Sequence, residues 1–393
     1  PSKSFPVPEQ VGVVQLQSLH ALPQTDMIIL APPAFVSEAE RLAEHHRTFT
    51  KLRVEVVTPE QVYNEFSSGT PDATAIRRFM KMFYDRRSSD ADAPRFLLLF
   101  GDGTFDNRQL TKTWKGISLD NFIVTYQTTN SQDAASCVIE DYFGLLSDKH
   151  DVNGDLYKLD IHLGIGRFPV RTVAQAKAAV DKVINYALNK DVGNWKNQLC
   201  FVADDGSNSD GFTTDHMDQA NKLSDTTEVN HPAYLMNKQF MDAYTKSSVG
   251  GKMGYPDVEA NIIKQLKEGA LIINYTGHGN STSWSDEHVL TSSQIQGYTY
   301  KHLPLWITAT CDFTPFDSYQ TSAGENVFLN EKSGGIALYT TTRVAYSSSN
   351  FNLNMRLLKK IFERKDNGER LTLGEAIKET KQDYNYLDRV RFM

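Results

Sequence analysis

The sequence predicts an α/β fold in which helices cover mostly parallel sheets, built as two such layers side by side. Three observations lead there. Short apolar runs bounded by Asp, Gly or Pro recur along the chain, as buried strands do. Segments with apolar residues near a 3.6-residue period separate those runs. The alternation of strand and helix then restarts beyond residue 193, in the same style but without an exact repeat.

The elements follow in order. Residues 1–25 lack a clear period and are expected to be the remnant of an upstream region. Met27–Ala31 (MIILA) is a strand bounded by Asp26 and Pro32. Phe35–Phe49 carries Phe35, Ala39, Leu42, Ala43 and Phe49 at helical spacing, with Ser37 and Glu40 near its start. Leu52–Val57 alternates as a half-buried strand, and Pro71–Arg87 is a helix with Asp72 as its N-cap. Phe96–Phe100 (FLLLF) is a central strand ending in Gly101-Asp102-Gly103, expected as a tight turn between subdomains, with a reach toward the substrate cleft or a metal as its alternative. This β-α-β-α-β order implies a parallel sheet. Residues 104–160 are irregular; Ile161–Phe168 returns as a strand and Val173–Leu188 as a helix.

Asn189–Trp195, with Gly193, forms a seam. Beyond it Leu199–Ala203 is a strand, Asp215–Thr227 a helix, Ala233–Met241 an extended segment and Val258–Leu266 a helix. Ala270–Tyr275 (ALIINY) and Leu303–Thr310 (LPLWITAT) are buried strands. Glu325–Asn330 is a short helix, Gly335–Thr340 a strand, and Asn350–Arg364 and Leu373–Tyr386 are closing helices. The expected division is a remnant over 1–25, a first α/β subdomain over 26–192 and a second over 193–393 that carries the chemistry.

Composition narrows the function. The chain has 393 residues, 40% hydrophobic and 23% charged, ordinary values for a globular protein with a large core. A net charge of −7 argues against a nucleic-acid binder, which would show a basic stripe. No apolar run approaches the ~20 residues of a membrane span. The chain starts at Pro1 without Met and without a signal peptide, so it is expected to be a piece of a larger product. Three cysteines, Cys137, Cys200 and Cys311, make no disulfide framework. Cys200 lies inside an apolar run and Cys137 precedes Val138-Ile139, so both are expected to be structural.

Cys311 is different. It closes one apolar run, and His278, in Gly277-His278-Gly279, closes another 33 positions earlier. Loops at the carboxyl ends of parallel strands line the usual crevice for chemistry. Two neighbouring strands of similar length bring this thiol and this imidazole to one sheet end, as a cysteine nucleophile and its base require. Asp204 and Asp205 follow Leu199–Ala203 directly and reach the same edge. A carboxylate behind an imidazole fixes its tautomer and supports its charged form. The N–H groups of Gly279 and Cys311 are candidates for an oxyanion hole. The same residue types also bind zinc, but one Cys without paired spacing makes that the lesser option, and Asp204 and Asp205 also suit a turn before Gly206.

Other residues carry weaker signals. Asp151-x-Asn153-x-Asp155 resembles the start of a calcium loop, yet Leu156 and His162 stand where Gly and Glu belong, and an Asn153-Gly154 turn explains it better. Arg343 follows a strand and is a candidate to grip a substrate carboxylate, or to pair internally, for instance with Glu325. Asp286, Glu287 and His288 are expected in solvent or in a gate between the two catalytic strands.

Asn274-Tyr275-Thr276-Gly277-His278-Gly279, then Trp284, then Cys311, resembles the gingipain-type (C25) cysteine peptidases. Ile165-Gly166-Arg167-Phe168-Pro169 and Ala203-Asp204-Asp205-Gly206 extend the likeness. The resemblance implies a caspase-like α/β/α sandwich of two subdomains, with Asp205 as the acidic partner of His278 and Asp204 as the neighbouring candidate. Trp284 is implied as a wall of the S1 pocket, with ordinary burial as its alternative. Arg-specific members carry an acidic residue shortly before the histidine that His216 matches. Phe212-Thr213-Thr214 has no carboxylate there, which argues against an Arg-specific pocket and fits cleavage beside small or polar residues.

Val62–Gly69, Phe100–Asp106, Cys311-Asp312-Phe313, Gly324-Glu325 and Thr341-Thr342-Arg343 are similar to one subgroup, the PorU-type signal peptidases (sortases) of the type IX secretion system. That likeness runs from about residue 26 to the end and implies a catalytic fragment, at the cell surface or peripheral to the outer membrane of a Gram-negative bacterium. Its implied partners are secreted cargo with a conserved C-terminal domain, outer-membrane secretion proteins and anionic lipopolysaccharide as acyl acceptor, with no nucleic acid. A general secreted gingipain-like protease and a non-catalytic scaffold remain the alternatives. No cofactor is required; calcium is implied only as a structural ion, with Asp148, Asp151 and Asp155 as weak candidates.

Overall fold

β1 (Met27–Leu30) buries all four of its side chains, as a strand with helices on both faces must. In the computed structural model, which describes residues 7–10, 12–127, 138–148, 160–206, 215–249 and 251–384, it begins a four-stranded sheet. α1 (Val36–His45) follows, extended by a short 3-10 turn before it and a π-turn after it. β2 (Val54–Val57) leads into α2 (Pro59–Phe66), where Thr58 and Gln61 cap each other and Pro59 opens the helix. α3 (Ala73–Asp85) starts on the Asp72 cap, and β3 (Phe96–Phe100) and β4 (Gly164–Phe168) complete the sheet. The order is β2-β1-β3-β4, all parallel.

α4 (Val173–Ala187) bridges to the second sheet. β5 (Gln198–Ala203), α5 (Asp215–Asn230) and β6 (Leu235–Phe240) come next, then a small ribbon of β7 (Ser247–Val249) and β8 (Lys252–Gly254). α6 (Pro256–Glu268) feeds β9 (Ile272–Thr276), which is followed by the ribbon β10 (Ser283–Trp284) and β11 (Leu290–Thr291) and by α7 (Ser292–Gly297). β12 (Leu305–Ala309), α8 (Ala323–Leu329), β13 (Ala337–Tyr339), α9 (Ser347–Phe362) and α10 (Leu373–Gln382) complete the described chain. The five-stranded sheet runs β13-β12-β9-β5-β6, again all parallel.

The two sheets share one winding. In each the first strand pairs with the second on one side and with the third on the other, so a topological switch lies between β1 and β3 and between β5 and β9. The expected α/β architecture of two mostly parallel sheets is therefore present. The expected 33-residue step from His278 to Cys311 spans the β10–β11 ribbon and α7, which the sequence reading treated as loop.

The halves interlock. Phe168 of β4 packs against Phe328 of α8, ring centroids 4.9 Å apart. α10, from the far end of the chain, lies on β4 of the first sheet. A Cβ on Gly164 would stand 2.5 Å from the Gly374 carbonyl, so that crossing needs Gly164 bare, while one on Gly374 would press the Phe96 ring at 3.0 Å. Lys381 of α10 forms a buried ion pair with Asp141 at 2.7 Å, and the Gln382 amide donates to the Ile161 carbonyl at 2.6 Å. Residues from the expected N-terminal remnant also dock: Leu19 is buried in the first core, and Glu65 accepts hydrogen bonds from Gln17 and the Leu19 and His20 N–H groups.

Candidate active site

Three strands of the second sheet end level with one another. Ala203 of β5 and Ala309 of β12 both register with Thr276 of the intervening β9. The residues beyond each therefore emerge side by side at one edge, in the spatial order Cys311, His278, Asp204-Asp205.

The two glycines around His278 are required by space rather than by backbone dihedrals. A Cβ on Gly277 would stand 2.3 Å from the Asp204 Cβ, and one on Gly279 would stand 2.5 Å from the Thr310 hydroxyl. The histidine loop is thus wedged between the end of β5 and the end of β12. Hydrogen bonds pin its backbone: the His278 N–H donates to Asp204 Oδ2 at 2.8 Å, and its carbonyl accepts from the Tyr275 hydroxyl at 2.6 Å. The His278 side chain itself is exposed.

Cys311 is half-buried. The Ala345 N–H donates to its sulfur at 3.4 Å, and its thiol donates to the Ala345 carbonyl at 3.4 Å. The preceding Thr310 carbonyl accepts from the Thr341 hydroxyl at 2.7 Å and the Asn350 amide at 3.2 Å. The next residue, Asp312, is held at φ 45°, a left-handed conformation uncommon outside glycine. Strain of this kind clusters at functional sites and persists only where neighbours enforce it. The Gly279 N–H has no acceptor among the described residues.

The acidic side differs from expectation in detail. Asp205 accepts from the Tyr255 hydroxyl at 2.8 Å and from Lys246 at 3.1 Å. Asp204, which is buried, supports His278 through its backbone, and among the described residues no hydrogen bond joins either carboxylate to the imidazole. Burial pushes the Asp204 carboxyl up to about 8, against the His278 N–H, which favours its ionised form. His216, in the first turn of α5, stands edge-on to His278 with ring centroids 4.9 Å apart. Burial, with His278 beside it, pushes the His216 imidazole down to about 4. Sequence reading gave His216 no chemical role, because no spacing rule links the start of α5 to the end of β9.

Two candidate substrate contacts are engaged within the fold, by the burial and the internal pairing that were their alternatives. Trp284 is fully buried, stacked 4.3 Å from Tyr275 and packed on Trp306 and Phe313, so it faces the core and not a cleft. Its placement supports Tyr275, which in turn holds the His278 carbonyl. Arg343 is gripped by Asp317 in a two-point ion pair, at 2.9 and 2.5 Å, rather than by Glu325. Glu325 is spent on the cap of α8, accepting from the Ser322 N–H and hydroxyl. Asp286 and His288 are exposed, as expected of solvated loop residues, with His288 bonded to the Ser283 hydroxyl at 2.8 Å, while Glu287 is half-buried and drawn to Lys246 at 2.6 Å. Of the calcium candidates, Asp148 pairs with Lys81 at 3.1 Å, while Asp151 and Asp155 lie outside the described residues, as do Cys137 and Phe212–Thr214. Cavities of about 750 and 710 Å³ occur elsewhere; neither is lined by Cys311 or His278.

Comparison with known proteins adds to this geometry. The sequence profile described as peptidase family C25 matches residues 20–391. Gingipain R2 of Porphyromonas gingivalis (strain ATCC BAA-308 / W83) is 25% identical over 288 residues, which make up 72% of this chain and 32% of that protein. A gingipain R1 of Porphyromonas gingivalis is 25% identical over 263 residues, 66% of this chain and 21% of the relative. The chain thus spans a third or less of the length of these curated relatives. Among solved structures, the Arg-specific cysteine proteinase gingipain R (RgpB) matches with a TM-score of 0.66 at 18% identity, over 96% of this chain and 78% of that one, a likeness of fold. Dimeric latent PorU from Porphyromonas gingivalis matches with a TM-score of 0.54 at 30% identity, over 98% of this chain and 30% of that one. The sheets described above are accordingly those of the gingipain-like, caspase-like α/β/α sandwich.

Proposed function

The chain belongs to peptidase family C25, and from that premise we propose that it is a C-terminal signal peptidase and sortase of PorU type. In this reading the Cys311 thiolate attacks the scissile carbonyl carbon of a secreted cargo protein. The carbonyl electrons move to oxygen, where the N–H groups of Gly279 and Cys311 receive the charge; one such donor is typically worth about 3–4 kcal/mol in the transition state. The C–N bond breaks as protonated His278 gives its proton to the leaving amine. The C-terminal secretion domain departs, and a thioester remains on Cys311. Neutral His278 then takes a proton from water or from an incoming amine, which displaces the thiolate. With an amine of anionic lipopolysaccharide as acceptor, the cargo ends joined to the cell surface.

The observation that carries this reading is the level row Ala203, Thr276 and Ala309, which supports bringing a carboxylate, an imidazole and a thiol to one edge. Asp205 remains the proposed acidic partner; Asp204, already bonded to the His278 backbone, is the neighbouring choice. Similarity to latent PorU over 98% of this chain supports the cargo-processing role. Among the described residues no helix is long and apolar enough to cross a membrane, and we place the protein peripherally at the cell surface, with outer-membrane secretion proteins as partners.

The curated gingipain relatives favour a second reading, a general secreted protease. Incubation with purified cargo, an unrelated denatured protein and an amine acceptor separates the two. The first reading predicts cleavage at the cargo domain junction and amine-dependent conjugates, with little attack on the unrelated protein. Rapid digestion of all proteins alike selects the second. If Cys311 resists alkylation near neutral pH and Cys311→Ala leaves cargo processing intact, both fall and a non-catalytic scaffold stands.

A further inference from the structure

The catalytic edge holds three metal-ligand side chains that the peptidase chemistry does not require to meet. A carboxylate oxygen of Asp204, a ring nitrogen of His216 and a ring nitrogen of His278 all lie within 4.8 Å of one another. They come from three separate elements: the end of β5, the first turn of α5 and the end of β9. We propose that Asp204, His216 and His278 form a site for a transition-metal cation of zinc type, whose occupancy withdraws His278 from peptide-bond chemistry. The binding stands on the geometry alone; the loss of activity rests on the role of His278 proposed above.

The donor set suits the ion. Two imidazoles and one carboxylate, with a fourth position left to water, match the protein side of open zinc sites. Tetrahedral zinc at ~2.0–2.2 Å from each donor separates the donors by roughly 3.3–3.6 Å. Side-chain rotation of about 1 Å therefore completes the site without moving a strand. His216 Nδ1 is buried without a hydrogen-bond partner, and among the described residues the His278 ring makes none either, so neither imidazole must give up a bond. Asp204 accepts one N–H on each oxygen, from His278 at 2.8 Å and from Asp205 at 3.1 Å, and has the Tyr275 hydroxyl beside it, which leaves a lone pair on at least one oxygen. Such supporting bonds orient a metal-binding carboxylate. Asp205 and Glu287 adjoin Asp204 and share the single charge of Lys246, which leaves a net negative surround for a cation.

Zinc also poisons cysteine peptidases by binding the nucleophilic thiol, so the test separates the two routes. Zinc affinity of the whole chain is measured by competition with a chromogenic chelator, and the ligand set by cobalt(II) spectra. The expected result is one zinc per chain, retained in Cys311→Ala within about threefold and weakened at least about tenfold in His216→Ala and in His278→Ala. His216→Phe keeps an edge-on ring and serves as a second variant should His216→Ala fail to fold; it is expected to lose the metal equally. Cobalt should give visible d–d bands without a thiolate charge-transfer band. In zinc-buffered assays each variant is referred to its own metal-free rate; the zinc needed for half-inhibition should rise at least about tenfold in His216→Phe. Loss of zinc in Cys311→Ala, a thiolate band, unchanged zinc sensitivity in His216→Phe, or no stoichiometric binding would each overturn the site. If the chain cleaves nothing, the functional reading fails while the binding arm still decides this one.

Discussion

The two sheets are wound alike, yet their equivalent edges have opposite fates. β9 is to the second sheet what β3 is to the first, the strand just across the topological switch. β9 ends in Gly277-His278, whose imidazole is exposed; β3 ends in Gly101-Asp102, whose carboxylate is fully buried. Arg171 caps Asp102 and reaches on to the Ser318 and Tyr319 carbonyls, while Arg167 binds the Gly101 carbonyl and a buried Glu140. Burial still pushes the Asp102 carboxyl up to about 6 despite Arg171 beside it. Gly103 lies so near Phe316 that a Cβ there would stand 2.7 Å from the ring. The first edge is thus sealed by the loop that follows Cys311, and the second stays open. A carboxyl edge of a parallel sheet is an opportunity for chemistry, and what covers it decides whether the opportunity is used.

Substitutions at matched places sharpen the contrast. Cys311→Ala on the open edge should lower kcat/KM roughly 10⁵-fold or more, with thermal unfolding unchanged within about 1 kcal/mol. Asp102→Ala on the sealed edge should do the reverse. Removing one member of a buried pair costs about 3–5 kcal/mol of stability, visible in denaturant unfolding, while activity per folded molecule stays within about tenfold. Equal loss of activity in both variants would mean that the first edge also takes part.

Gly277→Ala tests the wedge between the edges of β5 and β9. Overpacking against Asp204 should cost about 1–3 kcal/mol, and a displaced His278 should lower kcat about 100-fold, with KM little changed. Trp284→Phe should cost about 1–2 kcal/mol of stability and leave cleavage preference alone. A changed preference in a panel of peptide substrates would return Trp284 to the substrate pocket.

The smallest effect is expected where the first sheet meets α10. There Lys365, the Thr372 N–H and Arg95 pull the Glu375 carboxyl down to about 2, against the burial that would raise it. A depressed carboxyl stabilises the fold above its unfolded value near 4.5, and that contribution disappears as pH falls through about 2. Glu375→Gln should therefore cost on the order of 1 kcal/mol near neutral pH, and the gap between variant and parent should close in unfolding curves taken from pH 4.5 downward.

Most strands were legible because apolar runs such as Phe96–Phe100 and Leu305–Ala309 have few other homes. α2 is hard to read from apolar periodicity because it is only eight residues long, although Thr58, Pro59 and Gln61 spell a capped start. That Cys311 and His278 follow neighbouring strand ends was legible from the apolar runs alone, since Ala309 and Thr276 register across the sheet. Side-chain direction was not legible. Trp284 lies near the histidine in sequence, yet its two-residue strand turns it into the core beside Tyr275. Arg343 needed a partner, and only the folded loop shows that Asp317 lies closer to hand than Glu325.

The crossing of α10 onto β4 bears on how the chain is made. Ribosomes release a polypeptide from its N-terminal end, and domains generally fold in that order. Here the first sheet is complete at Phe168, yet Asp141 waits for Lys381 and the Ile161 carbonyl for Gln382. A nascent chain halted after Trp195 would carry four correctly ordered strands with one flank unclad. Each sheet can nucleate in turn, but the older one is finished by α10, more than 200 residues further on, so its flank stays bare until residue 382 has been added.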